Sequence, residues 1–582
     1  MMFTVDKVVE SNLPNINSKP WLAKPTKALL RYLLNERECN DIAGQFSFLK
    51  GVDFVEQVLE SFAVSYTVPD SEVENIPHQG RVVIFANHPI GSLDALVLIK
   101  LISEVRPDIK VVANELLMTL TPLHNILLPV RNMTGGTPRQ HLEKIHQHLR
   151  SEGVVLIFPS GEVSRLRPNG IRDTQWQTGF LKMAISCNAP LLPMYVDAKN
   201  SATFYGASIL YKPLATLLLV KEMFKQASNT LPVRIGELIP AEAVSGSDFP
   251  LKTRVSLLKN HLYRIGKNRS PLFNTQSAIA HPEKRRELQQ ALLQCEQLGQ
   301  TQDDKQIFLY RHQGSSPVMR EIGRLRELAF RAVGEGTGKR RDIDKYDSSY
   351  LHLVLWDPKE LEIVGAYRFA EVARLHNAGE NLYSESLFHY QSEFAPYFAK
   401  GLELGRSFVQ PKYWGKRSLD YLWYGIGAFL ARHPGYRYLF GPVTISNQLP
   451  AQAKEMLVHF YLQQFPCKTQ LAQSFTPFGL PPERQAELDK LYVDSDYQGA
   501  FKLLKQTLAS MGAAVPTLYK QYGELCQPDG VRFLAFGVDA DFADCIDGLV
   551  LVDLDKLKFK KRSRYIDCHL QELNQQDENA PS

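Results

Sequence analysis

Short apolar runs that end in a glycine or a polar turn recur along the first 240 residues. They cover residues 82–86, 127–130, 154–158 and 191–195. Runs of four to eight apolar residues bounded by turn signals are typical of strands buried on both faces of a sheet. The pattern therefore predicts an α/β domain in which several buried strands deliver polar groups where they end.

The second half of the chain has a different pattern. A helical pattern around residues 326–330 precedes two strand-like stretches, 351–356 and 361–369, which flank a turn containing Pro358. A further strand, a polar loop and a helical stretch follow over residues 402–432. This order of helix, hairpin, strand, loop and helix indicates a second domain of another kind.

Between these halves the apolar strands stop. Pro271 and Pro282 break the chain, and residues 299–304 are a polar stretch typical of a linker. The end of the chain is rich in Gln, Glu, Asp and Asn, a composition typical of disorder. We predict an N-terminal domain at residues 1–268, a linker at 269–305, a C-terminal domain at 306–565 and a disordered tail at 566–582.

Composition sets the broad class of the protein. With 582 residues, of which 44% are hydrophobic and 22% charged, the chain is long enough for two or three globular domains. Its seven cysteines are scattered without Cys-x-x-Cys pairs, which favours a reducing compartment and no metal site. A net charge of +5 is only mildly basic, so we expect no nucleic-acid partner.

The most informative stretch follows the run at residues 82–86. It places His88 at the end of a buried strand and Asp94 near the start of the next helix. An imidazole has an ordinary pKa of about 6.5, so a neutral histidine takes a proton from an alcohol near neutral pH. A carboxylate on the far ring nitrogen fixes the tautomer and stabilises the imidazolium. A lone His–Asp pair is common in proteins, so its value as evidence for catalysis depends on the sequence motifs, here called blocks, that accompany it.

Three further blocks accompany this pair. They are Arg131 after residues 127–130, the turn with Ser160, Gly161 and Glu162 after residues 154–158, and the proline-rich residues 189–195. Together the four blocks resemble the glycerolipid acyltransferase family, whose members carry a His-x4-Asp block, an Arg block, a Phe-Pro-Glu-Gly-Thr block and a Pro-rich strand.

Two departures from the family pattern stand out. Five residues separate His88 from Asp94, and Ser160 stands where the family has Glu, with Glu162 displaced by two positions. Gly91 can absorb the extra residue in a turn because glycine tolerates strained backbone angles. The resemblance implies an O-acyltransferase with His88 as general base, oriented by Asp94.

The same resemblance implies substrate-binding residues. They are Arg131, Ser160, Gly161 and Glu162, of which Gly161 offers a backbone N–H group. Arg131, Arg165 or Arg167 would hold an anionic head group or a carrier phosphate. A solvated basic face explains each of these arginines equally well.

Seven positions in the second half carry another resemblance. They are Arg326, Phe330, Asp344, Asp347, Arg368, Glu403 and Arg406. Their order resembles the GNAT acyltransferases, in the branch of the acyl-homoserine-lactone synthases and the ornithine N-acyltransferases, and implies a GNAT-like α+β domain.

The GNAT resemblance also implies roles for these residues. Glu403 takes the proton of an attacking amine, and Asp344 and Asp347 recognise a cationic amino-acid side chain. Arg368 and Arg406 hold a carboxylate or, equally well, form ion pairs with the acidic residues. Arg326 completes the predicted binding set.

The loop at residues 410–417 bears on the acyl donor. GNAT enzymes that use coenzyme A hold its pyrophosphate on a glycine-rich turn at a helix start, but this loop has one glycine and two bulky aromatics. Lys412, Lys416 and Arg417 suit the single phosphate of phosphopantetheine and an acidic acyl carrier protein. We therefore expect acyl carrier protein rather than acyl-CoA as donor, with no bound cofactor. An ordinary loop of a degenerate domain is the alternative.

The two resemblances together are similar to the bifunctional ornithine-lipid synthases. They imply that the GNAT half attaches a 3-hydroxyacyl group to the α-amine of ornithine and that the first half esterifies the new hydroxyl. Two alternatives are a single-activity 1-acyl-glycerol-3-phosphate acyltransferase with a GNAT-like docking domain, and a non-enzymatic protein that binds lipid or carrier protein.

The sequence also bears on location. It has neither a secretory signal nor a run of about 20 apolar residues that would span a bilayer. Basic residues flank apolar ones near residues 19–37 and 212–221, as in segments that lie on anionic lipid and equally in ordinary packed helices. With a lipid substrate, we expect a cytoplasmic protein that is peripheral on the inner face of the cell membrane.

Overall fold

The computed structural model of the chain divides into two compact units, Met1–His281 and Pro282–Ser582. It describes residues 5, 24, 27–28, 30–31, 35–46, 48–114, 117–118, 120–130, 138–168, 170–210, 212–246, 248–491 and 496–578. Each unit has its own sheet and its own hydrophobic core.

The first unit is built on a seven-stranded sheet in the order β1-β9-β8-β2-β5-β3-β4. Its strands, with the short hairpin β6–β7, are β1 Ser65–Thr67, β2 Val82–Ala86, β3 Lys110–Asn114, β4 Leu127–Val130, β5 Val154–Ile157, β6 Arg165–Arg167, β7 Gly170–Arg172, β8 Leu191–Val196 and β9 Thr230–Ile235. All neighbours in the sheet are parallel except β8 and β9. The four predicted apolar runs are β2, β4, β5 and β8.

Helices join and cover these strands. They are α1 Glu36–Gln45, α2 Val52–Ser61, α3 Asp70–Val73, α4 Leu93–Ser103, α5 Arg139–Arg150, α6 Gly179–Ser186, α7 Ala202–Leu210, α8 Lys212–Lys225, α9 Ala241–Ser245 and α10 Leu251–Ile265. Strand side chains alternate between the two faces, so Val82 and Ile84 join one apolar cluster while Val83 and Phe85 join another. Both faces are therefore buried, which explains the uninterrupted apolar sequence of β2.

The second unit is built on an eight-stranded sheet in the order β10-β11-β12-β13-β15-β16-β19-β18. Its strands, with the small pair β14–β17, are β10 Glu296–Gln300, β11 Gln306–Arg311, β12 Leu351–Asp357, β13 Glu362–Glu371, β14 Phe388–Tyr390, β15 Gly401–Val409, β16 Tyr438–Ile445, β17 Ala472–Ser474, β18 Val531–Asp539 and β19 Cys545–Asp553. Its helices are α11 Arg285–Leu292, α12 Pro317–Arg331, α13 Val372–Asn377, α14 Ala395–Ala399, α15 Ser418–Arg432, α16 Ala451–Gln464, α17 Pro482–Leu491, α18 Tyr497–Ser510, α19 Thr517–Gly523, α20 Phe559–Arg562 and α21 Cys568–Glu578.

The large sheet opens between two of its strands. Strands β15 and β16 are its one parallel pair, and they pair only from Gly401↔Tyr438 to Glu403↔Phe440. At the next position Gly441 has φ +154°, and a Cβ there would overlap the carbonyl oxygen of Leu404. Beyond this point no pairing joins the two strands, and the region between them is called the wedge below.

Two predictions from sequence are corrected here. The linker predicted at 269–305 is wrong in its second part, because Leu288 and Leu292 bury one side of the otherwise polar α11, and β10 pairs with β11. The disordered tail predicted at 566–582 is also wrong in its first part. Helix α21 occupies it, with His569 buried and Leu570 against the core.

Within the part of the chain that the structure describes, no helix is long and apolar enough to cross a bilayer. Much of the basic stretch at residues 19–37 lies outside the described residues.

Gly427 provides a test of the packing in the second unit. It lies in α15 against the main chain of Tyr565, and an added Cβ would overlap that residue's carbonyl oxygen. We expect Gly427→Ala to destabilise this unit by about 1–3 kcal/mol, because backbone cannot move aside cheaply. Gly435→Ala is the control, since a Cβ there meets nothing within 4 Å. Thermal unfolding followed by circular dichroism measures both, and equal midpoints would contradict the close packing.

Candidate active sites

Three neighbouring parallel strands of the first unit, β5, β2 and β8, end at one edge of the sheet. The carboxyl ends of parallel strands are where open α/β sheets bind ligands. His88 follows β2 at this edge, and residues 158–162 follow β5. The fold therefore brings the first and third sequence blocks together.

Asp94 folds the turn that carries His88. Its fully buried carboxylate accepts hydrogen bonds from the backbone N–H groups of Ile90 at 3.0 Å, Gly91 at 3.2 Å and Ala95 at 2.9 Å. Gly91 has φ +118°, a left-handed conformation that side chains rarely adopt. The prediction that Gly91 absorbs the extra residue in a turn is confirmed.

His88 and Asp94 lie side by side. His88 Nδ1 is 3.2 Å from Asp94 Oδ2, although the two groups are not aligned for a good hydrogen bond. The imidazole also packs on the ring of Phe158, with centroids 4.2 Å apart. The His88 side chain is 16% exposed, so one edge of the ring is open to an approaching group while Asp94 stays buried.

The environment makes His88 a stronger base than an ordinary histidine. Burial by itself lowers the pKa of His88, but the negative charges of Asp94 and then Asp173 outweigh burial and raise that pKa above 6.5. For Asp94, burial raises the pKa, yet His88 and the N–H groups of the turn together lower it. These surroundings therefore stabilise an imidazolium at His88 beside the Asp94 carboxylate more than water does, and the imidazolium is the state that follows proton abstraction.

Asp173 is a site residue that sequence reasoning missed. Its buried carboxylate accepts hydrogen bonds from the backbone N–H of His88 at 3.2 Å, Ser164 Oγ at 2.5 Å and Trp176 Nε1 at 2.9 Å. The backbone N–H of Ser164 donates in turn to the carbonyl of His88 at 2.8 Å. Asp173 thus ties the His88 turn to the segment after β5. It lies 85 positions from His88, outside all four blocks, and no local pattern marks it.

The third block forms a closed turn. Ser160 Oγ donates to the carbonyl of Glu162 at 2.6 Å, and Gly161 N–H donates to the carbonyl of Phe158 at 3.0 Å. The prediction that Gly161 offers a free N–H group is wrong, because the turn itself uses that donor. Glu162 lies 3.7 Å from Arg165.

The predicted arginines have different environments. Arg165 is buried, donates to Ser208 Oγ at 2.8 Å and lies over the ring of Phe204, so it is not part of a solvated face. Arg167 is exposed. Arg131, the remaining predicted anion-binding residue, lies outside the described residues.

In the second unit two buried arginines share one carboxylate. Asp347 Oδ1 accepts from Arg326 Nη1 at 2.7 Å and from Arg368 Nη1 at 3.1 Å, and each arginine is 1% exposed. Burial would raise the pKa of Asp347, but Arg326 and then Arg368 hold that pKa well below its usual range. The Asp347 carboxylate is therefore charged and already neutralised by protein groups.

The Asp344 carboxylate also accepts hydrogen bonds from groups of the protein, including Arg368. Its Oδ1 accepts from the N–H of Tyr346 at 2.9 Å and from Arg368 Nη1 at 2.6 Å. Asp347 Oδ2 accepts from the N–H of Asp344 at 2.9 Å and closes a capping box on the short helix Lys345–Ser348. Of the two roles predicted for Arg368, these contacts favour the ion pair with the acidic residues. They also occupy Asp344 and Asp347, which were predicted to recognise a cationic amino-acid side chain. Arg368 Nη2 is buried and makes no hydrogen bond within the described residues.

Glu403 lies where β15 and β16 begin to separate. One carboxylate oxygen accepts from the N–H of Ser384 at 2.7 Å, and the other accepts from the hydroxyl of Tyr350. Burial raises the pKa of Glu403. Both oxygens are thus engaged, and proton uptake by Glu403 requires one of these bonds to break.

Arg406 borders the wedge on the β15 side. A bulge in the β13–β15 pairing and a φ of +48° set its direction. Its guanidinium lies 3.4 Å from Asp342 Oδ2 and packs over the rings of Tyr383 and Phe542. The Phe330 ring packs edge to face with the Phe542 ring, with centroids 5.4 Å apart.

Asp547 borders the wedge on the other side, and sequence reasoning missed it. It lies on β19 opposite Thr444 of β16, whose hydroxyl donates to Asp547 Oδ1 at 2.7 Å. Burial first, and then the charge of Asp539, raise the pKa of Asp547 to about 7. Nearby Glu335 has its pKa raised to about 7 by burial and by Asp547. Within the described residues Asp547 Oδ2 accepts no hydrogen bond, so Asp547 is better placed than Glu403 to take a proton at neutral pH.

In the loop at residues 410–417, contacts with neighbouring residues hold the bulky side chains in fixed positions. Lys412 pairs with Glu362, and Tyr413 donates to the same carboxylate at 2.6 Å. Lys416 lies over the Tyr413 ring at 4.9 Å. Arg417 immediately precedes α15, and its side chain does not cap that helix. Of the three predicted basic residues, Lys412 is thus already neutralised by the protein.

Comparison with known proteins agrees with the two units. A family model described as Acyltransferase matches residues 17–269, and one described as Acetyltransferase (GNAT) domain matches residues 325–424. The glycine N(alpha)-acyltransferase of Bacteroides thetaiotaomicron is 32% identical over 282 residues, which are 46% of this chain and 83% of that protein. The chain belongs to the acyltransferases.

Two other relatives match this acyltransferase. The lyso-glycine lipid O-acyltransferase of Bacteroides thetaiotaomicron is 26% identical over 271 residues, 45% of this chain and 97% of that protein. The L-ornithine N(alpha)-acyltransferase of Brucella abortus is 32% identical over 140 residues, 22% of this chain and 49% of that protein. The predicted fold class, an acyltransferase-like α/β domain followed by a GNAT-like α+β domain, is confirmed.

The rate of O-acyl transfer by the acyltransferase domain is expected to fall at low pH. Its base must be neutral to accept a proton, and because the pKa of His88 is raised, the acid limb of the pH–rate profile should lie above pH 6.5. Asp94→Asn removes the charge that raises that pKa. It should move the limb to lower pH and lower the maximal rate about 10²-fold or more. Stopped assays of ester formation from pH 5 to 9 test this, and an unmoved limb would exclude His88 as its source.

The GNAT domain allows a matched comparison of two buried carboxylates. We expect Asp547→Asn to abolish an acid limb near pH 7 in N-acyl transfer, because the pKa of Asp547 is about 7. Glu403→Gln should lower the rate without moving that limb, since the Gln carbonyl oxygen can still accept the bond from Ser384 while its NH2 group cannot accept the bond from Tyr350. Amide formation from pH 5.5 to 9 is the measurement, and a limb lost only in Glu403→Gln would restore Glu403 as the base.

Proposed function

We propose that the chain makes an amino-acid lipid of the ornithine-lipid type by two consecutive acyl transfers. The GNAT domain transfers a 3-hydroxyacyl group to the α-amine of ornithine, and the acyltransferase domain esterifies the new hydroxyl. The observation that carries this proposal is the His88–Asp94 pair in one domain of a chain whose other domain is a GNAT acyltransferase. The relatives named for amino-acid N-acyl transfer and lyso-lipid O-acyl transfer support it.

In the ester-forming step His88 is the base. Its imidazole removes the hydroxyl proton as the oxygen attacks the thioester carbonyl, and Asp94 stabilises the imidazolium that results. When the tetrahedral intermediate collapses, the C–S bond breaks and the imidazolium returns the proton to the leaving thiolate. No acyl-enzyme is needed. General-base help of this kind contributes about 10²–10⁴-fold to the rate.

In the amide-forming step a neutral amine attacks the thioester carbonyl. The amine nitrogen forms the C–N bond, and a carboxylate takes the proton that the nitrogen loses. The C–S bond then breaks, and the leaving thiolate receives that proton. Asp547 and Glu403 lie at the wedge where this reaction would occur. Arg406, with the unbonded Nη2 of Arg368, offers cationic donors for the carboxylate of an amino acid.

We infer that acyl carrier protein delivers the acyl group in the GNAT step. The loop before α15 is too bulky for close backbone approach to two phosphates, because Tyr413 and Trp414 are held in place by hydrogen bonds. One phosphate, as in phosphopantetheine, requires less room. Because the acceptor of the ester-forming step and the products of both steps are lipids, the protein would act from the cytoplasm on the inner face of the cell membrane.

Glycine is the second candidate for the amino acid. The matches to glycine N-acyltransferases cover more of this chain than the matches to ornithine N-acyltransferases, 46% against 22%. The acid pair Asp547 and Glu335 beside the wedge favours a substrate with an additional cationic group, as in ornithine. Feeding labelled ornithine and labelled glycine separately to expressing cells distinguishes the two.

Isotope feeding also tests the order of the two steps. In cells given labelled ornithine, His88→Ala should accumulate the mono-acylated product, because only the ester-forming step needs His88. Glu403→Ala should give no labelled lipid, because the first step fails. His146→Ala, a partly exposed histidine on α5, is the matched control and should behave as wild type.

The outcomes separate the competing functions. Labelled mono-acyl and di-acyl products resolved by mass spectrometry support the proposal. A change in phospholipids without any amino-acid lipid would instead favour a 1-acyl-glycerol-3-phosphate acyltransferase. Purified protein that transfers no labelled acyl chain would favour a binding protein.

A further inference from the structure

The segment at residues 556–564, here called the basic segment, is the most basic stretch of the second unit without a role so far. It reads Lys-Leu-Lys-Phe-Lys-Lys-Arg-Ser-Arg and carries six positive charges in nine residues, with no acid. In its centre Phe559 is 80% exposed. The segment therefore combines a high positive charge with one aromatic side chain that is accessible to a partner.

The basic segment is fixed in place rather than loose. Tyr565 directly after it donates to Asp420 at 2.7 Å, and Arg564 pairs with the same carboxylate. Gly427 lets the main chain of Tyr565 lie directly on α15. The segment therefore presents its charges from a fixed position on the helix.

A cavity of about 420 Å³ opens beside this attachment. It is lined by Asp420, Lys560, Lys561, Arg564 and Tyr565. The charge of Asp420 is matched by Arg564, whereas within the described residues Lys560 and Lys561 form no ion pair. The cavity is consequently positive overall and suits an anion.

The cavity lies at the start of α15. Asp420 belongs to the first turn of this 15-residue helix, and the preceding Arg417 supplies no side-chain cap. Uncapped N–H groups and the helix dipole favour a negative group at such a position. This is also the helix that follows the loop at 410–417, the place from which GNAT enzymes hold the phosphate of their donor.

We propose that the basic segment docks an acidic acyl carrier protein, with the donor's phosphate in the cavity at the start of α15. The inference rests on the proposed function, in which a carrier protein is the donor. Lys560 and Lys561 meet the phosphate, Phe559 contacts an apolar patch of the carrier, and the remaining basic residues meet its acidic surface. The donor is then recognised by two separate parts of the chain, the loop before α15 and the basic segment.

The shape of the surface favours a carrier protein over a lipid bilayer. Helix α20 continues through the π-helical turn Ser563–Asp567 into α21, and among the described residues of this helical stretch Phe559 is the one large exposed apolar side chain. A single exposed apolar side chain offers little area for burial in lipid. The two lysines, the arginine and the tyrosine that line the depression beside Asp420 can contact a phosphate on a flexible arm. An anionic membrane remains an outcome of the test.

The experiment compares two donors on the purified full chain. N-acylation of ornithine is measured with 3-hydroxyacyl carrier protein and with the 3-hydroxyacyl thioester of N-acetylcysteamine, which has neither phosphate nor protein. The Lys560→Glu/Lys561→Glu variant should raise KM for the carrier-protein donor about tenfold or more and change kcat less than about twofold. With the small thioester it should match wild type.

Matched variants separate docking from folding. Lys502→Glu/Lys505→Glu reverses two exposed charges on α18 in the same unit and should leave both donors unaffected. Phe559→Ala retains every charge and should raise KM for the carrier-protein donor alone. The effect of Lys560→Glu/Lys561→Glu should fade at high salt, because exposed charges are screened.

Three results would overturn the inference. One is equal loss with both donors, which would make the segment structural. Another is unchanged KM for the carrier protein, and the third is weaker sedimentation with anionic phosphatidylglycerol vesicles and no change in carrier-protein KM, which would assign the surface to the membrane. Failure of the proposed function looks different, because wild type itself would then transfer nothing from carrier protein to ornithine.

Discussion

In each unit a buried carboxylate, neutralised by nearby hydrogen-bond donors and positive charges, fixes the local structure of the site. A buried charge is costly unless it is paired and hydrogen-bonded, so its partners must be held in fixed positions. In the first unit Asp94 fixes the turn between β2 and α4 through three backbone N–H groups, and the turn in turn places His88. In the second unit Asp347 holds Arg326 and Arg368 and caps a short helix. The local fold of each site follows from neutralising one acid.

The two compensated acids serve different ends. Asp94 has a partner that can give up a proton at accessible pH, so the pair can cycle between two charge states during a reaction. The partners of Asp347 are arginines, which stay protonated, so that pair has one charge state and is a rigid support. The network of Arg326, Arg368 and Asp347 therefore holds the second site in one conformation. In the proposed reaction, other groups around the wedge transfer the proton. In the proposed mechanism, motif residues and proton-transfer residues therefore coincide in one domain and are separate in the other.

The sequence alone predicted the features of the fold and of the sites that are formed by residues close to one another along the chain. His88 and Asp94 are six positions apart, and one turn brings them together. Asp173 and Asp547 could not be found in this way, because strand pairing and a hairpin bring them in from distant positions. Likewise Glu403 had the expected place, but its two donors, Ser384 and Tyr350, come from other elements and alter what it can do. The predicted linker failed for a related reason: two leucines bury one side of a helix whose overall composition is polar.

The separation of β15 from β16 affects how a donor would be recognised. Past the short paired stretch, each of these strands has a partner on its outer side only, so a row of main-chain N–H and C=O groups faces the gap. Such groups must be satisfied by water or by an incoming chain with amides of its own. A pantetheine arm carries such amides and can replace that water in the manner of an added strand. Main-chain groups would then recognise the arm, and side-chain substitutions beside the gap would have little effect on that selectivity.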